Sequence, residues 1–551
     1  MDSPMIPVTV ADPLMMAWFE CNDAGNARRI AVLARGELRW VDDEFWSAFA
    51  GTHWSQREGE YRARALALDV ARHINDEAAA LGALIGDPKN PDAKALEEQY
   101  GDWCTPERAL ERLSALRRHA VKSGNAAQTS AMLAQAKVLP EMRAWSEDFD
   151  RDPLAYNVQN GTLRFLPPDG PEMKWRLDFQ EGHDAADMIS QVANVAYDPK
   201  AECPMWLERL ALVQPDDEQR AIFARMYGQT LTGLTDCEEF YVHKGLGGDG
   251  KSKTHEIITD LHGDYYRHSP VKTFLQASFQ KSGSEHRSDL VRLAGDIRMV
   301  VSEEPAPNVA WDGELLKMVT GGGHVTARGS GAKTEITFKP RWKLFVEVNP
   351  LPRMPGDDRG FRRRLKLVLW PVDLSRIEGG FEAPEQLRKR LMTEKPGILN
   401  WMIEGCLDWL GDRRIPVPQV MAEALENFWA ESSPLAEWLE ERCDQSDKEA
   451  ETGSTVLWKD FKAWMEFNDI STENWNTTKF GKQLTQRQIQ GKKDGRGLKV
   501  RKGVKLRSDV PLLGDGADDA QRGVKSPSQG RDKPASNDGQ GDVQGDGLGG
   551  W

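Results

Sequence analysis

The eight residues from Gly245 to Ser252 read GLGGDGKS and fit the spacing G-x-x-x-x-G-K-[ST]. In such a loop Gly245, Leu246, Gly247, Gly248, Asp249 and Gly250 turn backbone N–H groups onto phosphate oxygens. Lys251 reaches the β and γ phosphates, and the Ser252 hydroxyl holds Mg²⁺. The flanks suit that chemistry: EFYVH predicts a strand before the loop and KTHEIITDLHG a helix after it. Further on, the apolar run of DIRMVVSEEP ends in Glu303 and Glu304. Carboxylates at a strand end beside a phosphate loop are placed to organise Mg²⁺ and to polarise an attacking water. Ser252 and Glu303 are the candidate metal ligands, while the sequence leaves open which glutamate acts on the water.

A loop of this kind needs a core that alternates strands and helices, and the chain does so from the loop to about Val372, the pattern of an α/β nucleotide-binding core. Around it we read residues 1–147 as a mainly helical adapter, 148–202 as a small β-containing element and 203–376 as the core with its preceding helices. Residues 377–430 predict further helix. Residues 431–508 give helix, helix, helix and β-ribbon, the order of a winged helix. Residues 509–551, rich in Gly, Asp, Gln and Ser, bury too little to offset their ordering entropy and are expected to be disordered.

Within the adapter, Ile30 to Trp46 alternates like a hairpin turning near Gly36. Ser55 to Ile85 predicts a helix with Ala65, Leu66, Leu68, Val70, Ile74 and Leu81 on its apolar rhythm. Another helical block opens with Thr105 as cap and Pro106 in the first turn, and runs to about Lys137.

Composition narrows the class. Charged residues make up 29% and hydrophobic residues 39%, with no apolar run long enough for a membrane span and no signal-peptide pattern at the start, so a cytoplasmic protein is expected. The six cysteines are scattered, which argues against a zinc site or disulfide framework. A net charge of -14 speaks against a protein that coats nucleic acid over its whole surface, but not against a local basic element. Eleven lysines and arginines lie between Lys479 and Arg507, with Lys499, Arg501 and Lys502 in the ribbon, and form an electrostatic footprint for phosphate backbone.

The phosphate loop alone does not separate a small-molecule kinase, a GTPase and a DNA motor. The order of the segments downstream of the loop resembles superfamily 3 helicases of the phage and plasmid primase-helicase type, related to the poxvirus primase-helicase. MVVSEE resembles the family's acidic strand. LLKMVTGGGHVTAR resembles its intermediate motif, with Lys317, Gly321, Gly322 and Arg328 matching. LFVEVN resembles its polar sensor, with Asn349, and FRRRLKLV its arginine cluster, with Arg363 and Arg364 on the paired arginines. Arg362 stands where the family usually shows a tryptophan, which leaves the arginine register uncertain by one residue.

The resemblance implies an AAA+-like P-loop core and ATP with Mg²⁺ as cofactors. It also implies a homo-hexameric ring moving 3′→5′ on single-stranded or forked DNA, in phage, prophage or plasmid replication inside a bacterial host cell. Asn349 would sense the γ-phosphate, and Arg363 would act across the interface as an arginine finger. A hairpin with a Gly-Ser-Gly tip would carry Lys333 into the channel, with His324 and Arg328 behind it. The first 147 residues show no zinc-binding cysteine set and no acidic pair in a β-rich setting. Priming would therefore fall to a separate primase or polymerase. Two other readings suit the same loop: an origin-binding switch that uses ATP without unwinding, and a double-stranded DNA translocase.

Overall fold

The computed structural model describes residues 11–170, 174–276, 287–303, 309–329, 335–349, 351–352, 358–377, 382–431 and 434–509, apart from residues 469, 471, 473, 474, 494 and 496. The chain divides into two units, Met1–Trp429 and Ala430–Trp551. Their architecture is mixed α/β, with a helical N-terminal region and a parallel sheet. Among the described residues no helix is long and apolar enough to cross a membrane. All six cysteines are free.

The N-terminal region packs helices Asp23–Ala34, Gln56–Ile85, Pro106–Ser123 and Ala126–Ala136 around Ile30, Val70, Ile74, Leu113 and Leu116. Thr105 caps its helix by accepting from the Arg108 N–H, and Pro106 sits in the first turn as its fixed φ predicts. The expected hairpin turn near Gly36 is not there. Ile30 to Ala34 finish a helix that ends at Arg35 in the left-handed conformation. The hairpin pairs Leu38–Val41 with Phe45–Phe49, and it turns at Asp42 and Asp43, whose φ values of 53° and 58° suit the twist of paired strands.

Leu68 is exposed, because the long helix buries the stripe Ala63, Ala67, Val70, Ile74 and Leu81 instead. The block expected to run to Lys137 breaks at Gly124 and Asn125.

Arg29 of the first of these helices is fully buried and meets Glu77 of the long one, with Nε to Oε1 at 2.8 Å and a second bond at 2.6 Å. A buried guanidinium left without its carboxylate keeps its desolvation cost and loses the compensation. Glu77→Ala is expected to cost about 3–5 kcal/mol, measured by urea unfolding of the chain followed through tryptophan fluorescence.

The core sheet is parallel throughout, in the order Tyr266–His268, Met299–Glu303, Lys343–Val348, Phe240–Gly245, Leu365–Trp370. Its central strands are buried and mostly apolar, as strands covered on both sides must be, with Lys343 and Glu347 as buried charged exceptions. The antiparallel element Ala155–Val158, Gly161–Leu166, Arg176–Glu181 is tied to the sheet by Arg298. The Arg298 guanidinium donates to the Pro153 carbonyl at 2.6 Å, the Ala155 carbonyl at 3.0 Å and Asp296 at 2.7 Å.

Beside this cluster Asp150, at φ 51°, accepts from the Ser190 backbone N–H at 2.7 Å and from its hydroxyl. Burial, followed by the nearby Asp296 charge, pushes the Asp150 carboxyl up to about 6. Between about pH 4, where an unfolded aspartate loses its proton, and pH 6, the folded chain keeps a proton that the unfolded chain has released. Stability from this group therefore falls as pH rises through that window. Asp150→Asn is expected to flatten the change of Tm over the same range in a thermal melt series.

In the second unit, helices Pro434–Arg442, Ser454–Phe467 and Thr477–Gln486 enclose Leu435, Trp438, Phe461, Trp464, Phe480 and Leu484. Asp460 anchors them, bonded to Arg442 at 2.6 Å and to the Trp438 indole at 2.8 Å. The ribbon Glu451–Gly453, Lys499–Lys502, Gly491–Lys493 completes it. The sequence predicts the whole ribbon after the third helix, but its strand Glu451–Gly453 lies between the first and second helices, and only the other two strands follow the third.

Candidate functional site

The phosphate-type loop joins the end of the Phe240–Gly245 strand to helix Lys251–His262. Gly247, Gly248 and Gly250 all have positive φ, and a Cβ on Gly250 would approach the Val213 side chain to 2.8 Å. A Cβ on Gly245 would collide with the Asp249 carboxylate. Glycine is required at both places, at Gly250 by conformation and at Gly245 by close approach. Leu246 lies exposed at the tip.

Asp249 turns its side chain into the loop, where it is 2% exposed. It accepts from the Gly247 N–H at 3.2 Å, from the Lys251 N–H at 3.1 Å and from Lys251 Nζ at 3.1 Å. Two loop N–H groups and a buried ammonium converge on one carboxylate, which is the donor set an anion needs. The loop is thus an anion cradle, which is the fit a nucleotide requires.

Lys251, itself 4% exposed, also donates to the Asn349 side-chain oxygen at 2.8 Å. Asn349 follows the end of the adjacent Lys343–Val348 strand. Two residues from positions 98 apart in sequence therefore meet at the carboxyl ends of neighbouring parallel strands, where ligands bind in open α/β sheets.

Glu303 ends the next strand and is exposed, in register with Glu347 across the ladder. Glu304 lies outside the described residues. Among the described residues no group of three or more His, Cys, Asp or Glu could hold a metal by protein ligands alone. Mg²⁺ shared between substrate phosphates and one or two side-chain oxygens does not need such a cage, and Ser252 with Glu303 supplies hard oxygen donors of that kind.

Sequence reasoning missed Glu347. It is 3% exposed near the carboxyl end of a buried strand, with one oxygen accepting from the Ser252 hydroxyl and the other 2.6 Å from His255 Nδ1. Burial raises its pKa, but hydrogen bonding and charge from His255, with Ser252 and Lys251, outweigh that and hold it below the ordinary value. His243 lies beside His255, ring centres 4.5 Å apart, and accepts from the Trp370 indole at 3.0 Å. Its burial, then the neighbouring His255 and Lys251, push its pKa well below the ordinary value. A signal was present: a charge inside the run KLFVEV has to be paired if the strand is buried.

The arginines sit elsewhere. In helix Arg359–Arg364, Arg364 is buried and pairs with Glu238 at 2.8 Å, and Arg362 pairs with Glu426. Arg363 also pairs with Glu238, but its side chain stays 66% exposed. This helix feeds the start of the Leu365–Trp370 strand, where Leu365 pairs with Phe240. The phosphate-type loop leaves at the other end, where Trp370 pairs with Gly245.

The proposed channel hairpin pairs Val325–Ala327 with Ile336–Phe338. His324 and Arg328 flank it, both exposed, while Lys333 lies outside the described residues.

In the second unit, Arg501 turns to Thr485 at 2.8 Å and to the Ile489 carbonyl at 3.1 Å, joining ribbon to helix. Lys502 pairs with Glu449 at 2.8 Å. Lys499 lines a groove with Lys482, Thr477, Thr485 and Trp458.

The family described as D5 N terminal like matches residues 27–215. The chain is 25% identical over 353 residues to a protein of Acanthamoeba polyphaga mimivirus named provisionally as a helicase, covering 63% of this chain and 34% of that protein. A second provisionally named helicase, from Frog virus 3 (isolate Goorha), is 24% identical over 272 residues, 47% of this chain and 27% of that protein. The chain thus spans about a third or less of the length of these relatives. Among solved structures, the A form apo structure of the NrS-1 C terminal region aligns at a TM-score of 0.33 and 11% identity, over 61% of this chain and 84% of that one.

Proposed function

We propose that this chain, a relative of the superfamily 3 primase-helicases, is an ATP-dependent DNA helicase that works as a homo-hexameric ring. The observation that carries the reading is the meeting of Lys251 and Asn349 at adjacent strand ends, 2.8 Å apart, inside a loop that already cradles a carboxylate. The loop N–H groups and Lys251 hold the triphosphate of ATP. Ser252 and Glu303 would hold Mg²⁺, which would supply charge neutralisation for phosphoryl transfer. Glu303 and Glu304 share the ordering of the metal and of the attacking water. Asn349, beside Lys251, acts as the sensor of the γ-phosphate.

Arg363 cannot serve the loop of its own subunit. It sits beyond the far end of the sheet's strands, and the five steps along the six-residue strand Phe240–Gly245 alone cover roughly 17 Å at about 3.3 Å per step. An exposed arginine so placed suits the site of a neighbouring copy. Hydrolysis then shifts the Val325–Phe338 hairpins against one another and draws single-stranded DNA through the ring, 3′→5′ by likeness to the family. The basic groove of the second unit, with Lys499 and Lys482, offers a further contact to the phosphate backbone.

The test is strand separation on a forked duplex with ATP and Mg²⁺, beside Lys251→Ala. Unwinding by the wild type, lost in the variant, supports the reading. ATP hydrolysis stimulated by single-stranded DNA without strand separation would overturn it in favour of an ATP-regulated initiator.

A further inference from the structure

Glu347 is buried, and both of its oxygens are committed at the edge of the proposed site. One accepts the proton of the Ser252 hydroxyl. The other lies 2.6 Å from His255 Nδ1, and that contact assigns the proton to Nδ1. His255 is fixed in turn by its neighbours, with its ring 5.9 Å from Tyr227 and 5.7 Å from Phe345. A serine hydroxyl has one proton and two lone pairs. With its proton given to a buried carboxylate, both lone pairs face away from Glu347 and are open to a cation. Without the carboxylate the hydroxyl rotates, and some of its orientations aim a proton where a cation would sit.

We propose that Glu347, held by His255, is a positioning residue that locks the Ser252 hydroxyl into the orientation in which its oxygen receives Mg²⁺. The proposal rests on the reading of Ser252 as a metal ligand in a nucleotide site. Partners behind a metal ligand of this kind typically govern roughly 10- to 100-fold of metal affinity. Glu347 would do so through hydrogen-bond geometry alone, from a strand next to the loop and not from the loop itself.

The full-length chain is titrated with mant-ADP in EDTA and in Mg²⁺, and the mant-ADP complex with Mn²⁺ by electron paramagnetic resonance. Glu347→Gln is expected to weaken Mn²⁺ binding about tenfold and to lose most of the Mg²⁺-dependent tightening of mant-ADP. The nucleotide affinity in EDTA should shift far less. Ser252→Ala combined with Glu347→Gln should bind Mn²⁺ no more weakly than Ser252→Ala alone, since one orients the other. Unchanged Mn²⁺ affinity in Glu347→Gln overturns the proposal, as does a double variant whose loss is the product of the two single losses. If Glu347→Gln does not fold, His255→Gln carries the same measurements with the same two outcomes. A wild-type chain that binds no mant-ADP would remove the nucleotide reading itself. Tight binding with equal metal dependence in wild type and Glu347→Gln removes only this inference.

Discussion

Lys251→Ala is expected to cut ATP hydrolysis by roughly 10²–10³-fold or more and to abolish strand separation. The amine is buried at the convergence of the loop and two strands, bonded to Asp249 and Asn349. Removing it takes the loop's own positive side chain away from the developing phosphate charge, inside a site screened from water, where such a charge counts most. It also leaves the Asp249 carboxylate buried without its ammonium partner, so a like charge remains to repel the incoming triphosphate. Binding and turnover should therefore both suffer. The measurement is phosphate release beside mant-ATP binding, with circular dichroism to show that the fold persists. Hydrolysis within tenfold of wild type would sink the assignment.

Arg363→Ala should have an effect of similar or greater size, of a different kind. An arginine finger supplied by a neighbour is worth roughly 10³–10⁵ in kcat, and its loss should leave mant-ATP affinity nearly untouched. Because the arginine precedes the strand Leu365–Trp370 and the loop leaves the opposite end of the neighbouring strand Phe240–Gly245, the proposed ring would build each active site from two chains. Mixing Lys251→Ala with Arg363→Ala should then restore activity that neither has alone, to roughly a quarter of the sites in a random ring. Arg363→Lys should not rescue, since an ammonium lacks the planar fork. Failure of the mixture to recover any hydrolysis, with both variants assembled, would overturn the reading of Arg363 as an arginine finger. The same chain pairs Arg363 with Glu238, so the finger must exchange that carboxylate for the neighbour's phosphate.

How much the sequence disclosed depends on how far each signal reaches along the chain. GLGGDGKS was legible because its chemistry is local, with glycines, lysine and serine acting within eight residues. Asn349 was legible because it ends an apolar run. Glu347 was not singled out, because its partners Ser252 and His255 lie on the helix after the loop, 95 and 92 positions away, and only the packing of that helix on the sheet brings them together. The Gly36 turn failed for a related reason. Gly36 does have positive φ, but it marks the exit from a helix, and two aspartates make the hairpin turn. Leu68 fitted a helical rhythm, yet over a 30-residue helix the buried stripe is chosen by the partners it meets, and an alanine-lined face won. Pairings such as Arg29 with Glu77 join residues 48 apart and leave no mark in either local stretch.

The Asp249 carboxylate gives the loop a property that no single contact expresses. A ring of N–H donors and a buried ammonium would, if bare, be an expensive charge to fold around. Here the chain brings its own counter-ion, tethered two residues from the lysine and so present at high effective concentration. Any phosphate that enters must evict a resident, and when it departs the resident is at hand to return. If a phosphate binds here, its affinity would be an exchange constant between two anions, set as much by the carboxylate it displaces as by the donors it gains.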